Sequence, residues 1–251
     1  MTDPGEMQAR GRSFGSVAAG YAAHRPTYPA DAVAFLVGRE PRLRVLDLGA
    51  GTGLLTEVVR ELGHHALAVD PSAEMLAELT ARLPGVDTVV GSAESIPADD
   101  ATMDAVVAGQ AAHWFDAEPA AEEIRRVLRP GGVLGLIWNT RDERMPWVAA
   151  LGAALAAEAR GHEADQGVVD DFVGALSADL SVTESTVVQR VTPEQVVDGI
   201  ATRSYVAVMD DARRADFLGR IRRLLAEHPD TRDRRELELP YVTRAYRLTP
   251  R

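Results

Sequence analysis

The sequence contains no cysteine and no lysine; all 27 cationic side chains are arginine. Without thiols there are no disulfides, no thiolate nucleophile, no iron–sulfur cluster and no cysteine-held zinc. Without a side-chain amine there is no pyridoxal phosphate enzyme, no Schiff-base aldolase and no P-loop kinase. The six histidines show no H-E-x-x-H spacing, so no metal site is expected. No uninterrupted apolar run approaches membrane-spanning length. Nor does Met1–Glu6 offer a basic start followed by an apolar stretch, so no secretory signal is expected and the expected location is cytoplasmic. Positive charge is in deficit as well: 27 basic against 38 acidic side chains leave a net charge of −11, which phosphate backbones repel. Arginines do gather at Arg213, Arg214, Arg220, Arg222 and Arg223, and again at Arg232, Arg234 and Arg235. Acids interrupt both groups, at Asp216, Glu227, Asp230, Asp233 and Glu236, so they read as solvated helix faces. Neither a nucleic acid nor a membrane is the expected partner.

At 251 residues the chain can bury a large core but is short for two full domains. Short apolar runs alternate with amphipathic segments through its first two thirds. Leu43–Leu48 reads as a buried parallel strand with Asp47 near its end. A glycine-rich turn follows, then Leu54, Leu55, Val58, Val59 and Leu62 on one helical face. Ala66–Val69 reads as the next strand, stopping at Asp70. Ser72 is placed to cap a helix whose apolar face is Met75, Leu76, Leu79 and Leu83. The rhythm continues with strands near Thr88–Val90 and Asp104–Ala108, a helix near Pro119–Leu128, the turn Pro130-Gly131-Gly132 and a strand over Val133–Trp138. Repeated strand–helix units imply a parallel sheet covered by helices on both faces. Beyond Trp138 the pattern loosens: a helix over Val148–Arg160, a strand over Val182–Arg190, short helices within Pro193–Val208, a strong helix from Asp211 and a final strand over Tyr241–Leu248. The expectation is one α/β domain over residues 1–251, with a helical insertion at about 192–229 before its last strand.

The informative stretch is Val45-Leu-Asp-Leu-Gly49-Ala-Gly51-Thr-Gly53. Glycines at a strand-to-helix turn let the backbone approach a ligand and leave helix N–H groups free for it. The dinucleotide fingerprint G-x-G-x-x-G fails on spacing, since the glycines fall at 49, 51 and 53 and position 54 is leucine. A nucleotide-dependent oxidoreductase is thereby disfavoured. Asp70 stands 17 residues beyond Gly53. A carboxylate at that strand end suits both hydroxyls of a ribose, or else helps cap the helix that starts at Ser72.

The pattern D-x-G-x-G-x-G resembles the first motif of class I S-adenosylmethionine-dependent methyltransferases. Gly109-Gln-Ala-Ala-His113-Trp-Phe115 resembles a segment of their type 11 subgroup and not the N-P-P-Y signature of base- and amide-nitrogen methyltransferases. Tyr21-Ala-Ala-His-Arg25-Pro-Thr-Tyr28-Pro29 resembles an arm that precedes the sheet in that subgroup, either a lid over the cofactor or a packed surface arm.

The resemblance implies a Rossmann-like sheet of about seven strands, order 3-2-1-4-5-7-6, with the last antiparallel. It divides the chain into an arm (1–30), a cofactor-binding core (31–140) and a C-terminal half (141–251) with the insertion. It implies S-adenosylmethionine as methyl donor, S-adenosylhomocysteine as product and a small-molecule acceptor, with the oligomeric state open. Asp47, Gly49, Ala50, Gly51 and Gly53 would hold the cofactor's amino-acid part, and Asp70 its ribose. Pro71 and Met75 would line the adenine and ribose, though Met75 reads equally as core. Gly91-Ser92-Ala93-Glu94-Ser-Ile-Pro97 is similar to the adenine segment D-A-E-x-L-P, with Ser92 in place of the frequent acid; Glu94 is a ligand or a solvated acid. Gln110 would sit beside the sulfonium, Arg25 would pair with the cofactor's carboxylate, and Tyr21 or Tyr28 would face the methyl group. His113 either deprotonates the acceptor or packs behind it. A binding protein that kept this site and lost turnover is the alternative function.

Overall fold

A computed structural model of the chain describes residues 25–156, 163–207 and 209–251. The elements in chain order are α1 (Ala30–Val37), β1 (Arg44–Leu48), α2 (Leu54–Glu61), β2 (His65–Asp70), α3 (Ala73–Arg82), β3 (Asp87–Val90), β4 (Met103–Gly109), α4 (Ala117–Val127), β5 (Leu128–Arg141), α5 (Pro146–Ala156), α6 (Glu163–Leu176), β6 (Asp179–Val191), α7 (Pro193–Ala201), α8 (Ser204–Ala207), α9 (Asp211–Glu227) and β7 (Leu237–Thr249). A single 3-10 turn, Ala112–Trp114, lies between β4 and α4. The seven strands form one sheet in the order β3-β2-β1-β4-β5-β7-β6. The first five are parallel, and β7 runs antiparallel between β5 and β6. This is the expected strand order, in an α/β Rossmann-like fold.

Alternation along the strands divides the core. Leu46, Leu48, Val106, Ala108, Leu134 and Leu136 point to one face, where Ile124 and Val127 of α4 and Phe172 and Leu176 of α6 cover them. Val45, Val107, Val133 and Ile137 point to the other, under Val33 and Leu36 of α1 and Leu55, Val58 and Val59 of α2. Each fully buried side chain of this size contributes about 1.5–3 kcal/mol, so both faces need their helices. A further cluster joins α5, α7 and α9 to the far ends of β6 and β7 through Trp147, Leu151, Val197, Ile200, Phe217, Ile221, Leu239 and Tyr241.

The structure corrects several expectations. Helix α6 was not anticipated, although Val169, Phe172 and Leu176 have helical spacing; Gly167 and Gly174 lower its propensity. The turn at Pro130-Gly131-Gly132 falls inside β5, as a register shift against β4 between Met103 and Ala105. Both C-terminal strands are longer than the sequence suggests, at 13 residues each, because they pair along their whole length. The helix expected over Val148–Arg160 begins at Pro146, and its expected end lies outside the described residues.

Candidate functional site

The C-terminal ends of the parallel strands converge where the chain leaves β1 towards β2 and β4 towards β5. That is the switch point at which open α/β sheets bind ligands. The turn after β1 carries three left-handed glycines, with φ +72° at Gly49, +53° at Gly51 and +83° at Gly53. Only glycine adopts such a run without strain. The N–H groups of Gly49 and Ala50 both donate to the Val69 carbonyl, at 2.8 and 3.1 Å, which ties the turn to β2. A Cβ at Gly49 would lie 2.6 Å from Cβ of Ala111, and one at Gly53 would lie 2.6 Å from Cγ of Leu79. At Gly51 a Cβ would meet nothing within 4 Å. Two glycines thus permit close packing, and the middle one faces open space.

Two carboxylates flank this turn. Asp47 is only 1% exposed; its Oδ2 accepts a 2.5 Å bond from the Thr56 hydroxyl, and its Oδ1 is buried with no hydrogen-bond partner. Burial pushes its pKa up to about 7, against the lowering bond from Thr56 and helped by the charge of Asp70. An unpartnered acceptor oxygen beside the glycine turn fits the ammonium end of an amino acid, the group that the resemblance implies there. Asp70, at the end of β2, holds the turn from the side: Oδ2 accepts from the N–H of Gly51 at 2.8 Å and Oδ1 from the N–H of Ser72 at 2.9 Å. Burial raises its pKa, opposed by the Ser72 and Gly51 amides. Ser72 caps α3, accepting from the N–H of Met75. Asp70 therefore orders both turns, while each carboxylate oxygen keeps a second lone pair for a further donor.

The remaining expected residues divide. Pro71 is exposed at the rim, and Met75 is buried at the start of α3. Ser92 and Ser95 close a small bridge after β3, with Ala93 buried beneath it. Glu94 accepts from the N–H of Asp116 at 3.0 Å and so ties this loop to the start of α4. Gln110 stands just past β4 with φ +56°, an uncommon conformation for a residue other than glycine. Its Nε2 donates to the Asn139 carbonyl at 2.8 Å. Asn139 in turn accepts from the Thr243 hydroxyl and donates to the Thr27 carbonyl. His113 follows in the 3-10 turn, its ring 4.9 Å from that of Trp114. Tyr28 is buried among Val33, Leu36 and Leu55, and its Oη would lie 2.7 Å from a Cβ at Gly109. Its ring anchors the segment against the sheet, and its hydroxyl reaches the residue before Gln110. Tyr21 and most of the 1–30 arm lie outside the described residues.

Sequence reasoning missed two groups. Glu123 and Arg126 of α4 grip the loop after β3: Glu123 accepts from the N–H of Ile96 at 2.9 Å, and Arg126 donates to the Ile96 and Ala98 carbonyls at 2.8 Å each. Arg126 also pairs with Glu123 and Asp100, and those hydrogen bonds raise its pKa. The second group is Arg141, Arg203, Tyr205 and Tyr241: Arg141 pairs in register with Tyr241, and Arg203 feels the fields of Arg141, Tyr205 and Tyr241. Among the described residues no three His, Asp or Glu side chains are placed to hold a metal, and no helix is long and apolar enough to cross a membrane.

Comparison with known proteins gives a concordant picture. The type 11 methyltransferase-domain family model matches residues 46–136. A Mycobacterium tuberculosis protein named as an uncharacterized methyltransferase is 45% identical over 239 residues, covering 94% of this chain and 95% of its own. A malonyl-[acyl-carrier protein] O-methyltransferase of Enterobacter lignolyticus is 33% identical over 196 residues, 70% of this chain and 78% of its own. A solved structure described as a type II methyltransferase, from Anaeromyxobacter dehalogenans, superposes with a TM-score of 0.68 at 25% identity, covering 90% of this chain and 97% of that one.

Proposed function

The chain belongs to the type 11 class I methyltransferases, with S-adenosylmethionine as methyl donor, and from that premise we propose that its acceptor is a small molecule received beside Gln110, under the helices that follow β6. The observation that carries this reading is the glycine turn with an open Gly51 and a buried, unsatisfied Asp47 oxygen. When bound, S-adenosylmethionine supplies a methyl group on an already activated sulfonium. The protein's task is then placement, and holding donor and acceptor in line is worth roughly 7–11 kcal/mol of barrier.

In this reading Asp47 receives the ammonium of the cofactor's amino-acid part beneath the turn, and Gly49, Ala50, Gly51 and Gly53 shape the surface above it. Asp70 uses its remaining lone pairs for the ribose hydroxyls. Ser92 and Ala93 border the adenine, with Pro71 and Met75 on its other side. Arg25 takes the cofactor's carboxylate. Gln110, held by Asn139, orients the reacting end, and His113 accepts the proton that the acceptor loses. The net charge of −11 supports a small acceptor over a nucleic acid.

Incubation with S-adenosylmethionine carrying a labelled methyl group tests the proposal. The expected outcome is label in a low-molecular-weight product, with one S-adenosylhomocysteine formed per methyl transferred. Label that appears only in protein or RNA would contradict the small-molecule acceptor.

A further inference from the structure

Arg141 ends β5, the strand next to β4 and its Gln110, and it pairs in register with Tyr241 of β7. Arg203 lies in the turn between α7 and α8, in the group of helices packed over the far ends of β6 and β7. The Nε atoms of both arginines are sealed from solvent and make no hydrogen bond, and neither guanidinium is in an ion pair among the described residues. The Tyr205 hydroxyl, two residues beyond Arg203, is likewise buried without a partner. Arg25 adds a third positive charge to the same neighbourhood: desolvation first, then the fields of Arg141 and Arg25, lower the Arg203 pKa. For Arg141 and Arg203, neighbouring like charges with unpartnered Nε atoms cost stability, which a bound anion would offset.

The location says which anion. Arg25 precedes Thr27 by two residues, and Arg141 follows Asn139 by two; the Asn139 amide joins those two segments, and its carbonyl holds Gln110. The cluster therefore sits beside the reacting end of the proposed site. One cofactor carboxylate accepts a single bidentate fork, which leaves further guanidinium donors unmatched. We propose that Arg141 and Arg203, with the Tyr205 hydroxyl, bind an oxyanion of the methyl acceptor, a carboxylate or a phosphate, and that the acceptor is accordingly an acidic small molecule. This rests on the methyltransferase reading above and deepens it. A protein with net charge −11 would otherwise repel such a substrate. A local cluster of half-buried guanidinia would reverse the sign of the potential there.

The test uses the full chain saturated with S-adenosylhomocysteine, titrated with malonate, glutarate or inorganic phosphate while the melting temperature is followed. Wild type should melt higher with at least one of the three anions, and the one that acts distinguishes carboxylate from phosphate. Arg203→Met should lose that response, with at least a tenfold rise in the anion's apparent Kd, while its Kd for S-adenosylhomocysteine stays within a fewfold of wild type. Without anion the variant should melt at or above wild type, because an uncompensated charge has gone; Arg141→Met provides an independent check. No stabilisation of wild type by any of the anions, or an unchanged response in both variants, would overturn the proposal. So would an Arg203→Met variant that melts well below wild type, which marks a structural role. Failure of wild type to bind S-adenosylhomocysteine would instead strike at the cofactor site.

Discussion

Gly49 and Gly51 share a left-handed backbone but differ in what surrounds them. At Gly49 a methyl group would be both strained by φ +72° and forced to 2.6 Å from Ala111. At Gly51 the strain at φ +53° stands alone, since the added carbon meets open space. Left-handed conformation costs an L-residue about 1–2 kcal/mol. Gly51→Ala should thus lower stability by about that amount while weakening S-adenosylhomocysteine binding at least tenfold. Gly49→Ala should lose clearly more stability, and chemical denaturation of the two variants reads the difference. Asp47 gives a prediction in pH. Its native pKa of about 7 lies above its ordinary value of 3.8, so between those pH values the folded protein keeps a proton that the unfolded chain has lost. Stability from this group is intact below about pH 4 and falls as pH rises through about 7. Asp47→Asn removes the dependence: the variant should gain on wild type by on the order of 2 kcal/mol between pH 5 and pH 8.5, as measured by urea unfolding at each pH. Parallel pH curves would show that the carboxyl is not held up. Both residues were legible in the sequence because a glycine and an acid at a strand end carry chemistry in their spacing. The pairing of Arg141 with Arg203 was not, because 62 residues separate them and only the fold brings them together.

At the scale of elements, strands and helices with strong periodicity lay where the sequence indicated, while their ends and partners did not. β6 and β7 run past their expected limits because cross-strand pairing, absent from any single-segment pattern, extends them. The loop after β3 shows the same limit. Its residues suggest adenine contact, but its conformation depends on Arg126, which reaches from α4 to the Ile96 and Ala98 carbonyls. Glu94, read as a ligand or a solvated acid, proves to be engaged with the N–H of Asp116 at the other end of that clamp. Arg126→Met should therefore cost about 1 kcal/mol of stability, since the side chain is partly solvent-screened. It should also speed hydrogen exchange across Gly91–Ala98 and raise the Kd for S-adenosylhomocysteine several-fold. Unchanged exchange in that loop would mean that α4 does not hold it.

At the scale of the whole molecule, the strand order came from the resemblance, not from hydrophobic periodicity, because the insertion of β7 between β5 and β6 is a non-local choice. The order matters for function. It sets β1 between β2 and β4, so the glycine turn, Asp70 and Gln110 all follow the C-terminal ends of neighbouring parallel strands, and it pairs β5 with β7, which puts Arg141 opposite Tyr241. The central claim is that these strand ends hold S-adenosylmethionine with Asp70 on its ribose. Calorimetric titration of S-adenosylhomocysteine into wild type and Asp70→Ala tests it most directly, with melting temperatures recorded on the same samples. The account predicts one site per chain in wild type. It predicts a loss of about 1.5–3 kcal/mol of binding free energy in the variant for each charge-assisted ribose bond removed, with the variant still folding cooperatively. An Asp70→Ala protein that binds S-adenosylhomocysteine with wild-type affinity would contradict it.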